Sequence, residues 1–161
     1  MAATRNSSRR DLETSAWGAL LQVHARLVPE LDADLQRTTG LPLAWYDVLL
    51  ELAGAGDTPL RMSDLGERVV LSRTRVSRLV AEMETHGLVQ RGANPDDRRS
   101  AFVTITDAGL RRYREAAPVY LGGIAERFAE RLTDEQLRTV TAALHTVLAP
   151  ADDSREGSRK A

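Results

Sequence analysis

The sequence predicts a mainly α-helical protein carrying one small β-hairpin. Three observations predict it. Apolar residues recur at helical spacing through most of the chain. One stretch, "AFVTIT" (101–106), instead alternates as a strand does. Helix-capping and turn residues fall where the helical stretches end. With 42% hydrophobic residues in 161, the chain can bury a core, and its length suits one domain.

Residues 1–10 are polar and expected to form a flexible tail. From Asp11 to about Arg37, Trp17, Leu20, Leu21, His24, Val28, Leu31 and Leu35 make a helical stripe. Pro29 inside it is expected to kink or split that helix. "TTGLP" (38–42) breaks it, with Gly40 just past its end. A second helix spans about 43–53, with Trp45, Val48, Leu49 and Leu52 inward. "GAGDTP" (54–59) is a loop, and a short helix follows over roughly 62–69.

Ser72 is a good N-cap for the next helix, which ends at His86-Gly87. "LVQR" (88–91) reads as a short strand, and "GANPDDRRS" (92–100) as a turn. Paired with 101–106, it makes a two-stranded hairpin with a charged tip. Thr106-Asp107 caps a long helix to about Leu132, with Pro118 and Gly122-Gly123 as expected bends. Thr133 to Gln136 is a capping box that starts a last helix through Leu148. Residues 149–161 form a polar tail expected to be disordered.

A short helix, a tight turn, a longer basic helix and a hairpin together describe a winged helix-turn-helix. The stretch "SRTRVSRLV" (72–80) carries the argument. On a helical wheel, Val76, Leu79, Val80 and Met83 centre a buried face. Thr74, Ser77 and Arg78 lie roughly opposite, with Ser72 at the helix start. Arg73 and Arg75 flank that outer face. Arginines at a helix N-terminus oppose the helix dipole and cost a few tenths of a kcal/mol. An arriving phosphate reverses the sign, because exposed N–H groups and arginines then act together. Arg78 has the reach to bond guanine O6 and N7 in a bidentate manner, and Thr74 and Ser77 can reach bases or phosphates. At the hairpin tip, Arg98 and Arg99 suit insertion into a narrow minor groove, with Asp97 bracing Arg99.

The lobe from Arg61 to Arg99 holds eight arginines against six acidic residues, while the whole chain carries −1. The positive charge is therefore concentrated where the DNA-facing elements are expected. A solvated arginine face is the competing account of 72–80 taken alone, and the adjoining hairpin disfavours it. No cysteine is present, which excludes disulfides, thiol switches and zinc–thiolate sites. His24, His86 and His145 lie in three different elements without metal-ligand spacing, and no phosphate loop or nucleophile motif appears. No metal, cofactor or enzymatic activity is expected. No apolar run approaches a membrane span and the N-terminus lacks a signal core, so the expected location is cytoplasmic.

These residues resemble the multiple-antibiotic-resistance regulator (MarR) family of bacterial transcription factors. The matching runs are "LPLAWYDVLLELA", "RMSDLGERVVLSRTRVSRLVAEMETHGLVQR" and "NPDDRRSAFVTITDAG". The most specific are Asp97-x-Arg99 in the wing and Thr106-x-x-Gly109 at the following helix start. The resemblance implies a homodimer, a pseudo-palindromic double-stranded DNA operator and a repressor released by a small ligand. It places dimerisation in 11–37 and 107–148 and DNA binding in 43–106. It assigns Ser72, Thr74, Ser77 and Arg78 to the recognition helix and Arg99 to the wing. Arg73 departs from the small residue or proline frequent there. The terminal stripes also exceed what a small winged helix needs to cover, which supports a dimer without the resemblance.

Two further expectations concern partners. Trp17, His24, Trp45, Tyr46 and Tyr113 are candidate contacts for a phenolic or aromatic effector, against the plainer account that they are core. The rival to DNA binding is a winged helix used as a protein-interaction module. Such a module should have lost its recognition-helix and wing arginines, yet Arg78 and Arg99 are present.

Overall fold

The computed structural model describes residues 2–69, 73–93 and 101–149, with 2–7 and 73 described by their backbone alone. No glycine or proline occurs before Gly18, and helix α1 starts correspondingly early, running Ala2–Thr39. Residues 2–10 are thus helical rather than a frayed tail, and an Arg9–Glu13 pair one turn apart joins the start to the rest. Pro29 does not split the helix. It lacks only one N–H, and 38 residues of helix absorb that loss.

Helix α2 (Leu43–Gly54) follows a sharp corner. Gly40 sits at φ +68°, a conformation that side chains disfavour. The first N–H of α2 is capped from outside its own helix: Asp32 Oδ1 on α1 accepts the Leu43 N–H at 2.7 Å. Strand β1 (Leu60–Arg61) then leads into α3 (Met62–Arg68) and α4 (Arg73–Thr85), the helix-turn-helix pair. Gly87 at φ +68° ends α4, as its sequence position indicates. Strands β2 (Val89–Ala93) and β3 (Ala101–Ile105) form the hairpin.

The two-stranded hairpin of the sequence reading becomes a three-stranded antiparallel sheet in the order β1-β3-β2. Leu60 pairs with Val103 and Arg61 with Phe102. Two residues are too few to establish an alternation, so β1 leaves no periodic signal. Val89 pairs with Ile105 and Ala93 with Ala101 across the hairpin.

One core joins these elements. Tyr46, Val48, Leu49 and Leu52 of α2 meet Leu65 of α3, Val76, Val80 and Met83 of α4, and Val103 of β3. Each buried side chain of this size contributes roughly 1.5–3 kcal/mol by leaving water. Leu31 and Leu35 at the C-terminal end of α1 are also buried.

Helix α5 (Asp107–Arg127) is capped by Thr106, whose Oγ1 accepts the Gly109 N–H at 3.0 Å. The same hydroxyl donates to the Gly87 carbonyl at 2.6 Å, tying the helix start to the turn after α4. Pro118, Gly122 and Gly123 lie within α5 without ending it. The helix stops at Arg127, short of the expected Leu132, and a 3-10 turn spans Ala129–Arg131. Nothing in the local residues explains that end point. Residues 124–149 belong to a second compact unit. In it, α6 (Asp134–Leu148) opens on the anticipated capping box. Thr133 Oγ1 accepts the Gln136 N–H, and Gln136 Oε1 accepts the Thr133 N–H at 2.9 Å.

Asp47 is the one strongly perturbed carboxyl among the described residues. Burial, then the Glu51 carboxylate one turn on, push its pKa up to about 6 from 3.8. The folded state thus holds this proton more tightly than the unfolded chain. Its ionisation costs stability, increasingly as pH rises from about 4 to about 6. Asp47→Asn is expected to raise stability at pH 7 by on the order of 1–2 kcal/mol and to change nothing below pH 4. Urea denaturation at the two pH values checks this; an equal gain at both would trace the effect to packing instead.

Candidate nucleic-acid interface

The face of α4 turned from the core is the candidate interface. Val76, Val80 and Met83 anchor the helix from below. Thr74, Arg75, Ser77 and Arg78 are exposed together on its first two turns, as the wheel places them. Ala81, half-buried, adds no bulk beside them. Neither Arg75 nor Arg78 makes an ion pair among the described residues, although the chain offers 23 acidic groups. Their donors are available to an external acceptor. Ser72, Asp97, Arg98 and Arg99 lie outside the described residues, as does the Arg73 side chain.

The five candidate effector contacts are not brought together. Trp17 and His24 are exposed on α1, Trp17 at 61%. Tyr46 is buried against Tyr113 and Tyr120, with ring centroids 5.5 and 4.7 Å away. Burial, then its tyrosine neighbours, raise the Tyr46 hydroxyl to about 12, so it stays protonated. Tyr46 and Tyr113 therefore serve the core. Trp45 also packs against the core, and its ring meets His86 edge-on at 4.9 Å rather than the tyrosines. Trp45 and His86 line an open cleft of about 510 Å³, with Pro42, Leu88, Arg111 and Arg112 on its other walls. Arg112 is engaged there, donating to the Thr39 carbonyl at 2.6 Å and to Glu115 at 3.1 Å. His86 Nδ1 lies 2.9 Å from the Glu82 carbonyl. Helical periodicity gave Trp45 a face but gave no hint of His86 or the arginines beside it.

The family model described as "MarR family" matches residues 39–100. The Bacillus subtilis HTH-type transcriptional regulator MhqR is 30% identical over 108 residues, covering 67% of this chain and 72% of that protein. The chain belongs to the MarR family. Among solved structures, the MarR family regulator Sco3205 of Streptomyces coelicolor, determined in complex with DNA, is 32% identical. It superposes with a TM-score of 0.79 over 88% of this chain and 94% of that one. AbsC, a MarR family regulator of the same organism, is 33% identical with a TM-score of 0.77, covering 86% and 93%. This MarR protein is therefore a DNA-binding transcriptional regulator, neither an enzyme nor an interaction module that has shed its DNA contacts. No helix among the described residues is long and apolar enough to cross a membrane.

Proposed function

We propose that this MarR regulator acts in the cytoplasm as a homodimeric repressor, seating two copies of α4 in successive major grooves of a pseudo-palindromic operator. The observation that carries this reading is the exposed set Thr74, Arg75, Ser77 and Arg78, with both arginines outside any ion pair among the described residues. Ser72 and Arg73 extend the set by sequence. Arg98 and Arg99, with Asp97 as support, supply wing contacts. In a two-fold dimer the recognition helices would sit about 34–36 Å apart, one turn of DNA.

Apolar exposure supports the dimer. Leu12, Trp17, Leu20, Leu21 and Val23 are exposed on α1, and Val140, Leu144, Val147 and Leu148 on α6. Soluble monomers seldom leave so many large apolar side chains in water. Dimerisation is accordingly assigned to the terminal helices, residues 11–37 and 107–148, and DNA contact to 43–106. A small aromatic acid fits the Trp45 cleft as effector: the indole offers a stacking surface, and Arg111 an exposed cation for the carboxylate.

Fluorescence anisotropy with a duplex from just upstream of the protein's own gene, against a scrambled duplex, tests the reading. Binding should favour the upstream duplex and weaken steeply with salt. Each neutralised phosphate adds about 0.9 to the log–log slope. Equal, salt-insensitive binding to both duplexes would refute it.

A further inference from the structure

One ion pair ties the recognition helix to the wing strand. Glu84 lies in the last turn of α4 and Arg91 in the middle of β2. Strand β2 is a sheet edge, so one row of its backbone groups faces no neighbouring strand. Glu84 fills the central position of that row. Its Oε1 accepts the Arg91 backbone N–H at 3.0 Å, and its Oε2 accepts Arg91 Nε at 2.6 Å. The Arg91 Nη2 lies against the same oxygen. These bonds to Arg91 hold the Glu84 carboxyl below its usual range.

Among the described residues, little else restrains this strand from the side of α4. Val89 is buried, but every later residue of β2 is exposed. Beyond Val89, the strand is held by its pairing with β3 and by Glu84.

We propose that the Glu84–Arg91 pair is a positioning latch for DNA binding. It sets the direction in which the β2–β3 hairpin leaves the recognition helix, and so how wing and helix engage one duplex together. The inference rests on the DNA-binding reading above. Neither residue needs to touch DNA.

Simple electrostatics and the latch predict opposite signs. Removing an acidic charge beside a DNA-facing surface ordinarily raises affinity. If Glu84 is a latch, removing it lowers affinity.

The experiment is an anisotropy titration of the full chain and three variants: Glu84→Gln, Glu84→Arg, and the swap Glu84→Arg/Arg91→Glu. The probes are the upstream duplex and a mixed-sequence duplex at low salt. Glu84→Gln and Glu84→Arg should each bind roughly three- to tenfold more weakly, the range an exposed pair can supply across two protomers. The swap should bind more tightly than Glu84→Arg, although it is less positive. Amide hydrogen exchange should be faster at 89–93 in Glu84→Gln than in the parent, with circular dichroism unchanged. Affinity equal to or above the parent's in Glu84→Gln, or a swap no tighter than Glu84→Arg, would overturn the latch. If the parent bound neither duplex, the DNA-binding reading itself would fail. Unchanged exchange at 89–93 would then dispose of the latch separately.

Discussion

Replacing Arg78 with alanine is expected to weaken operator binding by roughly 1–3 kcal/mol per half-site and to relax base preference there. The side chain is exposed on α4 and makes no ion pair among the described residues, so its loss should leave the fold intact. Unfolding midpoints of variant and parent should agree, as surface changes away from special features shift stability by no more than about 0.5 kcal/mol. The affinity loss is then a property of the interface alone. In a dimer both half-sites are affected, so the penalty in the free energy of the complex doubles. Competition with single-base operator variants reads the preference. A similar loss on every duplex would make Arg78 a phosphate contact. No loss on any would remove it from the interface.

Gly109→Ala is expected to destabilise the fold by about 3 kcal/mol, the upper end of overpacking costs. A Cβ at this position would lie 2.0 Å from the Leu88 carbonyl oxygen and 2.9 Å from Ile105 Cγ1. The first obstacle is backbone and cannot swing aside. That carbonyl is also engaged, accepting the Thr106 N–H at 3.1 Å. Relief therefore means pulling the start of α5 away from the turn that ends α4, breaking the bonds through which Thr106 joins them. Urea denaturation measures the loss. A midpoint equal to the parent's would mean that α5 starts farther from Leu88. The Thr-x-x-Gly pattern thus has two separate physical causes, a hydroxyl that caps and a missing Cβ that permits approach.

Features set by neighbours along the chain were legible in the sequence. The helical stripes, the Gly87 end of α4, the Thr106 cap and the Thr133–Gln136 box each depend on a few adjacent residues. The outer face of α4 followed from periodicity alone. Features set by contacts between distant residues were not legible. The Asp32 cap on α2 joins positions eleven apart across a corner. Strand β1 exists only because β3 lies beside it. The start of α1 is not legible from polarity, which a helix and a disordered tail share; Ala2 to Arg10 simply contains no glycine or proline to stop a helix. The proposed effector residues scattered for a related reason. Periodicity says which way a ring points from its own helix, but not which rings from other helices it meets.

The two edges of the sheet bear on solubility. An exposed strand edge is a template on which a second chain can add, and that route leads to aggregates without fixed stoichiometry. Here one edge is only the two residues of β1. At the other, an incoming strand would have to displace the Glu84 carboxylate from the middle of β2. Backbone-to-backbone addition is discouraged at both ends. In the proposed dimer, self-association would then fall to the helical surfaces, where side-chain shape can select a single partner.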